Sequence, residues 1–166
     1  CMLIIELNEF DPSYLKKVSR DLHLKNIEEI FKLEHTTTFS NEQEEFQGLD
    51  PWVQWVSIHT GKPFKEHKIS RLGQTNLQKD DQIWSKLSKE KNVKCGIWGV
   101  INAPAAGLKG DDFFLPDPWS FEEIAYPDSI NNFLALPRYI SKNYLCPYQK
   151  EIIIPFFKML FFIFKN

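Results

Sequence analysis

The spacing of apolar positions along the chain changes several times, and each change marks an element. Residues 2–7 (MLIIEL) are a short apolar run of strand length that leads into Asn8, Glu9 and Phe10. Asp11-Pro12 then opens a helix running to about Leu22, since Asp is a favoured N-cap and Pro a favoured first helical residue. A second helix follows over residues 26–34 (NIEEIFKLE). Residues 35–40 (HTTTFS) are β-branched and aromatic and read as a strand, and the acidic residues 41–45 (NEQEE) as a solvated loop. A third helix starts at another Asp-Pro pair, Asp50-Pro51, and stops at Gly61, with Pro63 blocking continuation. Within it Trp52, Trp55, Val56 and His59 recur at helical spacing and predict one face packed on a sheet. Residues 81–91 (DQIWSKLSKEK) form an amphipathic helix with Ile83, Trp84 and Leu87 inward, and residues 93–98 (VKCGIW) a third strand.

Strands alternating with helices predict an α/β fold, with a mainly parallel sheet flanked by helices. Residues 103–127, rich in Pro, Gly and Asp, read as a long ordered loop over that sheet, and long ordered loops usually serve function. From residue 128 the pattern is helical, with breaks near Pro137 and Pro147. The expected organisation is therefore a sheet domain over residues 1–127 and a helical segment over 128–166. Residues 152–164 (IIIPFFKMLFFIF) are intensely apolar, yet shorter than the roughly 20 residues of a membrane span and interrupted by Pro155 and Lys158. This tail is expected to pack on a further part of the chain or on a partner, in preference to a membrane interface. Cys1 standing ahead of Met2 and the apolar tail together give the expectation of a piece of a longer chain.

Composition adds exclusions. A 43% hydrophobic, 14% aromatic chain of 166 residues has the material for a packed core. Its net charge of −2 offers no basic field for nucleic acid. Cys1, Cys95 and Cys146 have neither disulfide-framework nor zinc spacing, which fits a reducing compartment. With no secretory leader visible, a cytoplasmic location is expected.

Ligands of open parallel sheets bind at the carboxyl ends of strands. Three such ends are predicted: Asn8-Glu9, the approach to the helix at Asp50, and Asn102. A helix N-terminus there offers N–H groups and partial positive charge to a phosphate or sulfate, and Gln54 lies in the first turn, within reach of such a ligand. His67, beyond the glycine stop, is open to a ligand contact or a turn contact. His59 reads as a core histidine satisfied by a neighbour. HExxH, GxSxG, P-loop and CxxC patterns are absent from the sequence, which leaves metalloprotease, serine hydrolase, NTPase and zinc-ribbon readings without support.

Residues 3–9, residues 57–63 (SIHTGKP) and His67-Lys68-Ile69 together resemble the N-terminal part of the alkaline phosphatase superfamily. The phosphodiesterase/nucleotide pyrophosphatase and sulfatase branches, with their Thr-Gly, Pro and His in the form TG-x-P-x-x-x-H, are the most similar. The resemblance covers about the first 100 residues. It implies a metal-dependent hydrolase of small-molecule phosphate or sulfate esters, with zinc, manganese or calcium as divalent metal. Asn8, Glu9 and Asp50 are then the metal-side residues, Asp50 the catalytic candidate, and Gln54, His67 and Asn102 the substrate-binding ones. Two positions depart from the pattern: Asn8 stands where the family has a metal-binding Asp, and Pro51 where it has its nucleophile. These departures define the alternative, a superfamily relative with altered or lost chemistry that binds a nucleotide- or carbohydrate-type ligand, or a scaffold domain. On the first reading this piece alone is expected to be inactive, with weak metal binding.

Overall fold

The computed structural model describes residues 2–8, 10–40, 50–78 and 81–165. The chain divides into two compact units, Cys1–Asn41 and Glu42–Asn166.

In the first unit, Asp11 caps helix α1 (Pro12–Asp21) as its sequence predicts. Its Oδ1 accepts from the Ser13 and Tyr14 amides at 2.8 and 3.2 Å, satisfying two N–H groups that the helix cannot. Helix α2 (Lys25–Ile30) follows after a turn in which His23 adopts positive φ and the buried Ser19 hydroxyl donates to Leu24 O at 3.3 Å. Residues 2–7 and 35–40 form no strand, against the expectation for both. An apolar run becomes a strand only where a neighbour pairs its backbone, and Met2, Leu3, Ile4, Ile5 and Leu7 stand exposed.

The second unit is α/β. Helix α3 (Pro51–Thr60) leads through a short helix α4 (Phe64–His67) and a 3₁₀ turn (Thr75–Leu77) to helix α5 (Ile83–Lys91). Strands β1 (Gly96–Trp98) and β2 (Phe113–Leu115) pair in parallel, with Ile97 opposite Phe114. The crossover through residues 99–112 meets the dozen or so residues a parallel connection needs. It carries no helix, and three glycines in it, Gly99, Gly107 and Gly110, take positive φ. Strand β2 lies inside what the sequence presents as a long loop, so that expectation is corrected. Phe114 through Asp117 are continuously buried there, and Phe114 also bridges antiparallel to Tyr126. Trp84, Ile97, Ala103 and Phe114 form the core on one side of the pair; Leu115, Ala125 and Leu134 form a second cluster.

After a 3₁₀ helix over Asp128–Leu134 come α6 (Ala135–Lys142) and α7 (Ile153–Lys165). Pro137 does not break α6, because it falls in the first turn, where no intrahelical partner awaits its missing N–H. The break near Pro147 is present. The boundary expected at residue 127 falls within the second unit: Leu134 is in core contact with Leu115, and Arg138 Nη2 donates to Ser120 O at 2.9 Å and to Glu123 O.

Candidate ligand site at the carboxyl ends of the strands

Helix α3 begins at Asp50, whose backbone is extended, and Pro51 supplies a ready-set first residue. The Val53 and Gln54 amides donate to Asp50 O at 2.9 and 3.0 Å, and Pro51 has no N–H. Those bonds leave Trp52 N–H as the first-turn donor they do not engage. The Asp50 side chain makes no capping bond, unlike that of Asp11, so its half-buried carboxylate is not spent on the helix. The buried stripe of α3 is Val53, Val56, His59 and Thr60, one residue round from the expected face. His59 lies between the rings of Trp55 and Trp84, with centroids 5.7 and 4.9 Å away.

The Thr-Gly pair is a helix stop with a clear physical basis. Thr60 Oγ1 donates to Val56 O at 2.7 Å and accepts from Lys62 N–H at 3.2 Å, while Gly61 takes φ 72° and returns its N–H to Ser57 O. The histidine of the motif then pins α4 onto α3. His67 is buried; its Nδ1 accepts from Ile69 N–H at 3.0 Å, and its Nε2 lies 3.0 Å from Ser57 Oγ. An accepting Nδ1 places the proton of the neutral ring on Nε2, which then donates to Ser57. That is the wrong direction for activating a serine nucleophile, which needs a ring nitrogen to take the hydroxyl proton.

Asn102 holds the site together. It follows β1, takes φ 54° and is fully buried. Its Nδ2 donates to Trp52 O and to Arg71 O, both at 3.0 Å, and its Oδ1 accepts from Gly73 N–H at 2.7 Å. Its own amide donates to Asp117 Oδ2 at 3.1 Å, two residues beyond β2. Asp117 is buried and collects further donors from Trp119 N–H, Ser120 N–H and Ser120 Oγ. Around the α3 start, Trp52 Nε1 donates to Ser70 O at 3.0 Å, and Gln74 Oε1 accepts the Ser70 and Arg71 amides at 2.9 Å each. Gly73 is required here: at φ 81° a side chain is strained, and a Cβ would lie 2.8 Å from Trp119 O.

The first turn of α3 is therefore fastened to the carboxyl ends of β1 and β2. The expected residues Asp50, Gln54 and Asn102 come together there, with Asn102 as the fastener. His67 sits toward the other end of α3, against Ser57. Arg71, which the sequence reading passes over, places an exposed cationic residue on the loop held to Trp52. Its only sequence signal is a charge among the small and polar residues after the histidine.

Asn8 lies in an exposed turn of the first unit, and Glu9 is outside the described residues. Among the described residues no group of three or more His, Cys, Asp or Glu is arranged to hold a metal ion. Asp112 and Asp117 do not fit as ligands, because N–H and O–H donors already occupy their oxygens. Asp50 fits as a single carboxylate.

Asp112 belongs to the opposite, amino end of the strands. Its Oδ1 accepts from Cys95 N–H at 2.8 Å, and its Oδ2 from Ser88 Oγ at 2.6 Å and Lys109 N–H at 2.8 Å. Burial pushes this carboxyl up, but the Ser88, Cys95 and Lys109 hydrogen bonds, with the Lys109 charge, hold it below the usual carboxylate range. Burial and then the Asp112 charge push the neighbouring Cys95 thiol up. Lys94, exposed Asp111 and Lys109 rim a polar cleft of about 330 Å³ beside it.

Family models, curated proteins and solved structures, compared with this chain, give no match.

Proposed function

We propose that this chain carries the oxyanion-recognising part of a metal-dependent hydrolase of phosphate or sulfate esters, related to the phosphodiesterase and sulfatase branches of the alkaline phosphatase superfamily. The observation that supports it most is the Asn102 clamp, which fixes the start of α3 at the carboxyl ends of two parallel strands. Trp52 N–H, Gln54 and Arg71 supply donors and positive charge for non-bridging oxygens. The β1–β2 pair is, in this reading, part of a larger parallel sheet. On this reading Asp50 would give one carboxylate to a divalent zinc, manganese or calcium ion, which would polarise the ester. The location in keeping with this reading is cytoplasmic; among the described residues no helix is long and apolar enough to cross a membrane.

The second reading, a relative that binds such a ligand without cleaving it, draws on Pro51 in the family's nucleophile position and on the inward-donating His67. Titration separates the two. Orthophosphate and sulfate, added with and without zinc or manganese, are followed by backbone amide NMR shifts of residues 52–54 and 71, beside turnover of an aryl phosphate, a phosphodiester and an aryl sulfate by a full-length homologue. Binding with metal-dependent turnover supports the hydrolase. Binding without turnover supports the second reading, and undisturbed amides with no turnover remove both. Asp50→Asn is a further discriminator. It strengthens metal-free phosphate binding by removing a like charge, whereas it weakens binding that depends on metal.

A further inference from the structure

Helix α7 packs on α6 and on the 3₁₀ helix before it, with Phe133 and Phe162 in edge contact at 6.2 Å. Pro155, Met159, Leu160 and Phe162 are the less exposed positions, and Phe156 and Ile163 are exposed to 41% and 47%. On the other side Ile153, Ile154, Phe157, Phe161 and Phe164 are 54% to 85% exposed. At 3.6 residues per turn these five fall within an arc of roughly 100°. The two polar residues of α7, Lys158 and Lys165, sit together on one flank of that arc. Large apolar patches of this kind on a protein surface mark an interaction site.

Charge decides between occupants. Residues 128–166 hold five basic side chains against two acidic ones, in a chain whose net charge is −2. No acidic residue occurs in α7. Tyr144, Leu145 and Tyr148, between α6 and α7, are exposed aromatic and apolar residues of the sort that settle at a membrane–water interface. The helix is about 20 Å long, which suits lying in the interface plane and does not suit spanning. With lysines beside the apolar arc, the ring and aliphatic groups can enter the acyl boundary while the ammonium groups meet anionic headgroups.

We infer that α7 docks the chain onto an anionic lipid surface through the Ile153–Phe164 arc and the Lys158–Lys165 flank. This does not depend on the ester-hydrolase reading. A second copy of the chain, or another protein segment, is the competing occupant.

The test is flotation of the full chain with vesicles of phosphatidylcholine alone and of phosphatidylcholine with about 30% of the anionic phosphatidylglycerol. The chain is expected to float with the anionic vesicles and to be released by high salt. Phe157→Asp with Phe161→Asp abolishes flotation. Lys158→Glu with Lys165→Glu leaves the apolar arc in place and weakens it by more than about 25-fold, since each lysine lost contributes about a factor of five at such a surface and each added carboxylate is repelled by it. Circular dichroism checks that both variants keep their helices, and the charge-reversal variant serves if the apolar one does not fold. Sedimentation equilibrium is run in parallel. No flotation with anionic vesicles, equal binding to neutral and anionic ones, or a dimer that the Phe variants dissociate while vesicle binding is absent would each overturn the inference.

Discussion

At Asp112, three partners hold one carboxylate, and the sign of its pH effect follows from them. Its folded pKa lies below the ordinary value of 3.8, so its stabilisation is fully present above that value and is lost as pH falls through the folded pKa. Urea midpoints measured from pH 7 down to pH 2 should fall more steeply for the native chain than for Asp112→Asn at the acid end, with the variant less stable at neutral pH. The same substitution removes the charge that helps hold Cys95 as a thiol. Cys95 is expected to react with iodoacetamide more slowly than exposed Cys146 at pH 8, and Asp112→Asn to narrow the gap. Gly73→Ala combines left-handed strain with a clash against a backbone oxygen, and a loss of about 2–4 kcal/mol in denaturant unfolding is expected. Little of this was visible in sequence. Asn102 could be placed after a strand, but its side-chain partners lie 29 to 50 residues away, and no local pattern encodes them.

Elements bounded by local chemistry were the legible ones. Asp-Pro starts and the Thr60-Gly61 stop fix α1 and α3 because their hydrogen bonds close within a turn. Strands were legible only where partners exist. Residues 2–7 look apolar enough and yet form none, whereas the three residues of β2, framed by Asp-Asp and Pro-Asp-Pro, escape notice because their burial comes from β1, Tyr126 and Trp84. His67 illustrates the limit for chemistry. Its spacing from Thr60 matches a family motif, while its ring nitrogens are occupied in joining α4 to α3. His67→Ala should therefore cost about 1–3 kcal/mol in unfolding free energy, through the unpaired Ile69 amide and Ser57 hydroxyl, and leave oxyanion binding at the α3 start within a few-fold. A complete loss of phosphate binding in a folded His67→Ala protein would show that the histidine acts on ligand.

Across the second unit, stability concentrates on the segment that looked like a loop. Phe114 lies at 0% exposure in the core cluster of Trp84 and Ile97, pairs with β1 and bridges Tyr126. Phe114→Ala is expected to cost about 3–5 kcal/mol, read as a lowered urea midpoint in tryptophan fluorescence, since all five tryptophans lie in this unit. The Asn102 clamp has a consequence for how the unit opens. Gly73 N–H is held by the Asn102 side chain, which itself donates to the Trp52 and Arg71 carbonyls while the Asn102 backbone amide donates to Asp117, so local fraying of any one segment does not free it. Its exchange with deuterated solvent should then proceed through opening of the whole clamp, far more slowly than the exposed position of its loop would indicate. That single amide becomes a clock for the assembly of the site, and ligand bound at the start of α3 should slow it further.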